Sequence, residues 1–463
     1  MNITPIGVVY ICMLVLFWFG KNRFSNLLLL CLITELFIET GYAIKYGDKL
    51  LYVFRLSEDV LIVYSILHLF AFKTKIHRYW FLLGCAYVIP LLLLTIVPSN
   101  AWVTPQGMQW DDVLIDNVKL VHPSVSLFSI TKTISYILYL AVPIYLYSNY
   151  TIKDLKNIIK KMSFCIYIFL TIACLELFIK SFGYGKLWGE VIRFLFGETP
   201  FTSMEALNLQ RGSSFGLNLF TREPSHYAYS LFIAAVILFA NNVINGSKNG
   251  LSFSILLCIF MMCLSTSFSS MLYVPGFLLL WLLYRWGRIR PKSMKLEIVC
   301  SITIVVLLSL SSFVLLLTNI DGYLFGRLSD FVQNYEMYLT TDVSVHNGSL
   351  STQVRILSVI QTMIAFSLRP LVGLSLGVIS CHGATANFLA SVGIIGCYFW
   401  IEAYFILLKK KWYRIHSNLY VWGVLIYLAV NLFNSFGLRP FFDILLIVIA
   451  ASFCFIYIDS KKI

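Results

Sequence analysis

The chain has 463 residues, of which 59% are hydrophobic and only 12% charged, and its mean hydropathy is +0.82. These values exclude a water-soluble globule and mark an integral membrane protein. The net charge of +13 does not mark a nucleic-acid binder, because the basic residues fall in short loops between apolar stretches.

Stretches of about 17 to 25 apolar residues, each able to cross the hydrocarbon core as a helix, recur from end to end. They fall near 3–20, 25–43, 50–72, 79–98, 127–147, 163–182, 224–242, 251–266, 267–285, 297–318, 385–408, 417–433 and 440–458. Between the eighth and ninth, "LSTSFSS" gives only a weak break. The first is expected to be a retained helix, since no Lys or Arg follows Met1 and no small-residue cleavage site closes it.

The basic loops are "KNR" from 21, "KTKIHR" from 73, "KDLKNIIKK" from 153, "RWGRIRPKSMK" from 285, "KKKWYR" from 409 and "KK" from 461. Placing them in the cytoplasm by the positive-inside rule puts the amino terminus outside and the carboxyl terminus inside. An odd number of crossings follows, and thirteen fits. The expected architecture is therefore all-α, one polytopic domain over 1–463, with no repeat and no soluble linker. Eleven cysteines form no CxxC pair, and all but Cys381 lie in apolar spans, so neither a disulfide framework nor a metal site is expected.

Three long segments face outward on this reading: 99–126, with Trp102, Trp110, Asp111 and Asp112; 183–223; and 319–384. The third contains "QVRILSVIQTMIAFSL", helical in period but short for a crossing. Sending it across the membrane would invert the sidedness of "KKKWYR", so it is expected to lie along the outer surface as a short amphipathic helix.

Two outward clusters carry chemistry. The first is "LFTREPSHYA", 219–228, where charges stand at the edge of an apolar run. Pro224 lacks an amide hydrogen and suits a first helical position, so a helix is expected to start there with Glu223 beside its cap. His226 follows Glu223 by three residues on the same helix surface, and Arg211 and Arg222 precede it. Free amides at a helix start and guanidinium forks both donate to phosphate oxygens, so an anionic ligand fits. Interfacial anchoring by Arg222, with Glu223 as a cap, is the other reading.

The second cluster begins with Arg355 and continues through "RPLVGLSLGVISCHGATANFLASVGIIG", 369–396. Gly373, Gly377 and Gly383 permit tight turns there. Asn387 starts the next crossing, and His382 beside it is a titratable base able to take a proton from a hydroxyl. Arg55, Glu58 and Asp59 lie inside the third span at spacings that let the arginine pair with both carboxylates, a structural ion cluster. Asp111 and Asp112, adjacent in a loop, are a poor metal signal, and no Walker or HExxH motif is present.

Arg211 with "FTREPSHYA", then Arg355, Gly373, Gly377 and "ANFLASVGIIG" before a crossing helix, resemble the Wzy-type O-antigen polymerases and, more distantly, the O-antigen ligases. The likeness covers roughly 205–410; upstream only the hydropathy is similar. It implies a bacterial inner-membrane glycosyltransferase that works on the periplasmic face without cofactor, metal or nucleotide sugar. Its substrates would be undecaprenyl-pyrophosphate-linked oligosaccharide repeat units, and its neighbours in the membrane a chain-length regulator and a flippase. By position, Arg211 and Arg355 would hold the lipid pyrophosphates and Glu223 would belong to the same outer pocket; Arg222, His226 and Asn387 are further candidate binding residues, and Glu223 or His382 a candidate base. Relatives often have His-Asn where this chain has Ala386-Asn387, which leaves the base open between His382, Glu223 and none.

Overall fold

The computed structural model describes residues 2–47, 49–106, 108, 118–199, 210–211, 214–215, 217, 219–221, 224–247, 250–265, 270–288, 350–407 and 431. Expected crossings at 297–318, 417–433 and 440–458 lie outside these residues, as do Asp111 and Asp112. Among the described residues, five helices are long and apolar enough to cross a membrane: Arg78–Ile96, Leu127–Asn149, Ile152–Ser181, Pro224–Ile244 and Ala384–Tyr404.

The chain opens with strand β1 (Asn2–Ile3) and helix α1 (Pro5–Phe19), whose start is capped by the Thr4 side chain with Pro5 at the first position. Helix α2 (Arg23–Phe37) corrects the expected span 25–43, since it ends six residues early and the chain turns into β2 (Tyr42–Tyr46). The aromatic and β-branched run "YAIKY" satisfies its backbone sideways, pairing with β1 on one edge and with β3 (Lys49–Tyr52) on the other. Helix α3 (Val53–Ala71) and α4 (Arg78–Ile96) follow.

The span expected at 127–147 is two helices, α5 (Leu127–Tyr139) and α6 (Ala141–Asn149), hinged at Leu140. Pro143 has no amide hydrogen to return to the preceding turn, which accounts for the break. Helix α7 (Ile152–Ser181) has 30 residues, about 45 Å at the α-helical rise. A capping box between Thr151 and Asp154 sets its start, so "KDLKNIIKK" is the helix's first turns and not a loop. The short α8 (Gly185–Phe196) and a two-residue hairpin, β4 (Gln210–Arg211) with β5 (Ser214–Phe215), precede α9 (Pro224–Ile244). Helices α10 (Phe253–Leu264) and α11 (Ser270–Arg288) are separate, as the weak break at "LSTSFSS" requires. Helix α12 (Leu350–Leu368) and α13 (Ala384–Ile401), with a π-helical turn over Glu402–Leu407, complete the description.

Two ends can be told apart. At the sheet end, β1, β2 and β3 meet the turn before α9, where the Thr40 amide and hydroxyl both donate to the Phe220 carbonyl, at 3.1 and 2.9 Å. At the basic end, Ser25 bonds the Tyr150 hydroxyl at 2.6 Å and Lys161 donates to Asn26 at 3.1 Å. The basic segments from 21 and 153 belong to this end, and so does that from 73, where the His77 ring meets Tyr147.

Helix α9 is the hub. Its principal neighbours are α2, α7, α10 and α11. In its apolar window 89% of residues are buried, against 33% in α4 and α7. Lipid therefore meets the outer helices and hardly touches α9.

Candidate functional site

Helix α9 begins at Pro224, as its missing amide hydrogen requires. Arg222 and Glu223 lie outside the described residues. Residues 219–221 form the turn before the helix, and Leu219 takes a left-handed conformation at φ +46°, costly for a residue with a branched side chain. Glu176 of α7 and Thr40, just after α2, anchor that turn. The Leu219 amide donates to Glu176 Oε2 on α7 at 3.0 Å, and Glu176 Oε1 accepts from Lys180 Nζ at 2.7 Å. Phe220 presents its carbonyl to Thr40 beyond α2.

On the other side of the motif, His226 is buried and bonds Glu39 Oε2 through Nδ1 at 2.7 Å. The His226 ring thus turns inward, to a carboxylate 187 residues away. One turn further on, the Ser230 hydroxyl donates to the Leu36 carbonyl. The start of α9 is thus stitched to the end of α2 by side chains that the early end of α2 makes available. Had α2 run to residue 43, Glu39 and Thr40 would point around a helix and could not both face 220–226.

Glu39 and Glu176 have no exposed surface at all, and Lys180 is buried beside Glu176. Buried charges in a membrane interior are expensive and mark sites. These were the residues that the motif reading missed. A signal was present: Glu176 and Lys180 are four apart on one helix, the spacing of an ion pair, inside an apolar run. Glu39 gives a weaker signal, since nothing in its neighbourhood of the sequence names a partner.

The second cluster is built differently from expectation. The segment after α12 does not simply loop over the surface. Arg369 caps the end of α4 through the carbonyls of Val97 and Pro98, the latter at 2.9 Å. From there the chain dives inward, and Leu374 and Ser375 donate their amides to Ala390 and Ser391 of α13, at 2.9 and 2.8 Å. Helix α13 is broken to receive them: Gly393 stands at φ +66°, and the amides of Ile394 and Ile395 bond Pro370 and Leu371 instead of the helix. Leu374, Ser375, Leu376 and Val378 are buried. Gly373 and Gly393 allow the two backbones to touch, since a Cβ at either would lie about 2.5 Å from the facing carbonyl oxygen.

His382 is half-buried, its amide donating to Ser358 Oγ on α12 at 3.1 Å. Asn387 sits in the first turn of α13, buried, its amide bonded to Gly383 and its side-chain oxygen accepting from Ser391 at 3.4 Å. Burial pushes the Cys381 thiol above its ordinary range, which makes it a poor nucleophile. The backbones of Arg211, in β4, and Arg355, in α12, are described, while their side chains lie outside the described residues. Helix α13 has α4 and α12 as its principal neighbours, and Leu376, Phe388 and Val392 belong to the same hydrophobic core as Phe220 and Tyr227. In the third span, Arg55 bridges Glu58 at 3.2 Å, with Glu58 buried and Arg55 open on one side.

No protein-family model, no curated protein and no solved structure matches this chain.

Proposed function

We propose that the protein is a membrane glycosyltransferase of the O-antigen polymerase type, moving a glycan from a polyprenyl pyrophosphate to the sugar hydroxyl of another lipid-linked repeat unit. The observation that carries this reading is the burial of the motif helix. An arginine-bearing turn that merely anchored a peripheral helix would leave that helix facing lipid on one side. Instead α9 is enclosed, His226 in its first turn is held by Glu39, and the turn before it is held by Thr40 and by Glu176 of α7. So costly a frame at a helix start fits a site where geometry must be fixed.

The chemistry follows from the charges. A departing pyrophosphate gathers negative charge as the glycosidic bond breaks. Guanidinium groups and helix amides fixed at that place stabilise the transition state more than the ground state. Loss of one such donor costs about 3 to 4 kcal/mol of barrier, a hundred- to a thousandfold in rate. On this reading Arg211→Ala and Arg355→Ala each abolish polymer while the protein still inserts. The assay is purified protein with a synthetic lipid-linked repeat unit, scored for oligomers by gel, and normal chain lengths in both variants would overturn the site.

A ligase would use the same layout, and deletion in a cell separates the two: loss of a polymerase leaves core bearing one repeat unit, loss of a ligase leaves bare core. One observation favours a reading of another class. Helix α13 is interrupted at Gly393, its backbone groups there bonded to the 370–375 segment, and interrupted helices are also found where transporters bind their cargo. A flippase for lipid-linked glycan would move labelled substrate across a vesicle without lengthening it.

A further inference from the structure

Helix α13 and the segment that enters it exchange hydrogen bonds in matched pairs. The Leu374 and Ser375 amides donate to the carbonyls of Ala390 and Ser391, and the Ile394 and Ile395 amides donate to those of Pro370 and Leu371, at 2.8 to 3.1 Å. Within each segment these acceptors and donors stand four residues apart, the separation of an α-helical bond: 390 with 394 and 391 with 395, 370 with 374 and 371 with 375. The four bonds between the segments can therefore be traded for four within them, and none is lost. We propose that this trade is a switch built into the fold: the 370–375 segment withdraws from α13, α13 closes into an unbroken helix, and the withdrawn segment winds into one helical turn starting at Pro370.

The segment is prepared for both states. Proline suits the first position of a helical turn, and the Gly373 amide already donates to the Arg369 carbonyl at 2.9 Å, a bond with helical spacing. Two features press the segment outward. Ser375 stands at φ +83°, a conformation sparsely populated by residues other than glycine, and its buried hydroxyl has no hydrogen-bond partner among the described residues. Apolar burial holds it in: Leu374 belongs to one buried cluster with Leu94 of α4, Ala365 of α12 and Ala390 of α13. Hydrogen bonding favours neither state, so the balance lies between that burial and the strain at Ser375.

Withdrawal opens a gap between α4, α12 and α13, which makes the segment a gate at that place. The gate does not rest on the glycosyltransferase reading, and its test needs no substrate. Hydrogen exchange is measured on the full-length protein in lipid nanodiscs and resolved to single amides by electron-transfer fragmentation. The Leu374 and Ser375 amides report withdrawal. The Ile394 and Ile395 amides are bonded in both states, first to the segment and then within α13, so they stay protected throughout.

Gly373→Ala penalises the inserted state and leaves α13 itself unchanged, because its methyl group would meet the Ser391 carbonyl oxygen at 2.5 Å. Exchange at Leu374 and Ser375 is expected to quicken about tenfold or more, with Ile394 and Ile395 as slow as in wild type. Quickening at all four amides means that the helix has merely been broken, and overturns the switch. Wild-type rates at Leu374 and Ser375 overturn it as well. Ser375→Gly pushes the other way, since it removes the strain and the hydroxyl together, and it decides the question if Gly373→Ala does not fold. Exchange at Leu374 is then expected to slow about threefold or more while Ile394 is unchanged. A Leu374 amide that exchanges at the wild-type rate or faster in this variant overturns the proposal.

Discussion

At the scale of single residues, glycine does work in the second cluster that no other residue can do. Gly393 interrupts α13 at φ +66°, and a methyl group there would meet the Leu371 carbonyl oxygen at 2.4 Å. Both the left-handed backbone and the contact are backbone matters, which a rotamer change cannot relieve. Gly393→Ala is expected to cost about 1 to 3 kcal/mol from conformation alone and more from the clash, seen as a lowered thermal midpoint in detergent. Gly47, also at positive φ but in open space, is the control: its alanine variant meets no clash and pays only the conformational term. Equal losses at the two positions would contradict the close contact between the inward segment and α13.

At the scale of elements, the helix starts follow local chemistry closely. Ser126 and Ser129 form a capping box at α5, as Thr151 and Asp154 do at α7. Ser126→Ala is expected to weaken the start of α5 by about 1 kcal/mol, and hydrogen exchange at the 127–130 amides should quicken severalfold while α7 is unchanged. Such local codes explain what could be read ahead of the structure. Pro224 announced the start of α9, and the hydropathy pattern placed α3, α4, α10 and α11 within a few residues.

What could not be read was decided at long range. The run from 38 to 43, "IETGYA", lies within the expected span, yet the chain leaves the helix after Phe37 and from Tyr42 becomes a strand to which β1 and β3 offer backbone partners on both edges. The break in α13 likewise needs the segment 370–375 to supply replacement bonds, and nothing within "ASVGIIG" declares them beyond the glycine. Glu39 and His226 lie 187 residues apart, so their pairing belongs to the fold and not to a motif. The site's polar letters were legible; their supporting frame was not.

At the scale of the whole molecule, the two ends sort the chain into alternating sides. Residues 2–3, 42–52 and 219–221 gather at the sheet end, and 25–26 with 150–161 at the basic end. Epitope tags placed at Gly47 and within 73–77 are therefore expected to be reached from opposite sides of intact spheroplasts, with the first on the outer side. Both tags appearing on the same side would break the alternation, and the first appearing inside would put the proposed chemistry in the wrong compartment. Arg369, just after α12, bonds the Pro98 carbonyl past the end of α4, and Ser358 of α12 accepts from the His382 amide before α13.

The enclosed position of α9 also bears on biogenesis. It is made after α1 to α8, yet it occupies the slot between α2 and α7, and the groups that meet His226 and Leu219 were synthesised long before them. While the ribosome is still translating the stretch before 224, Glu39 and Glu176 belong to a half-assembled bundle with an unfilled centre. Helices released laterally one by one could not keep that vacancy free of lipid, so the early hairpins must be retained together beside the translocon until the seventh expected crossing arrives to plug it.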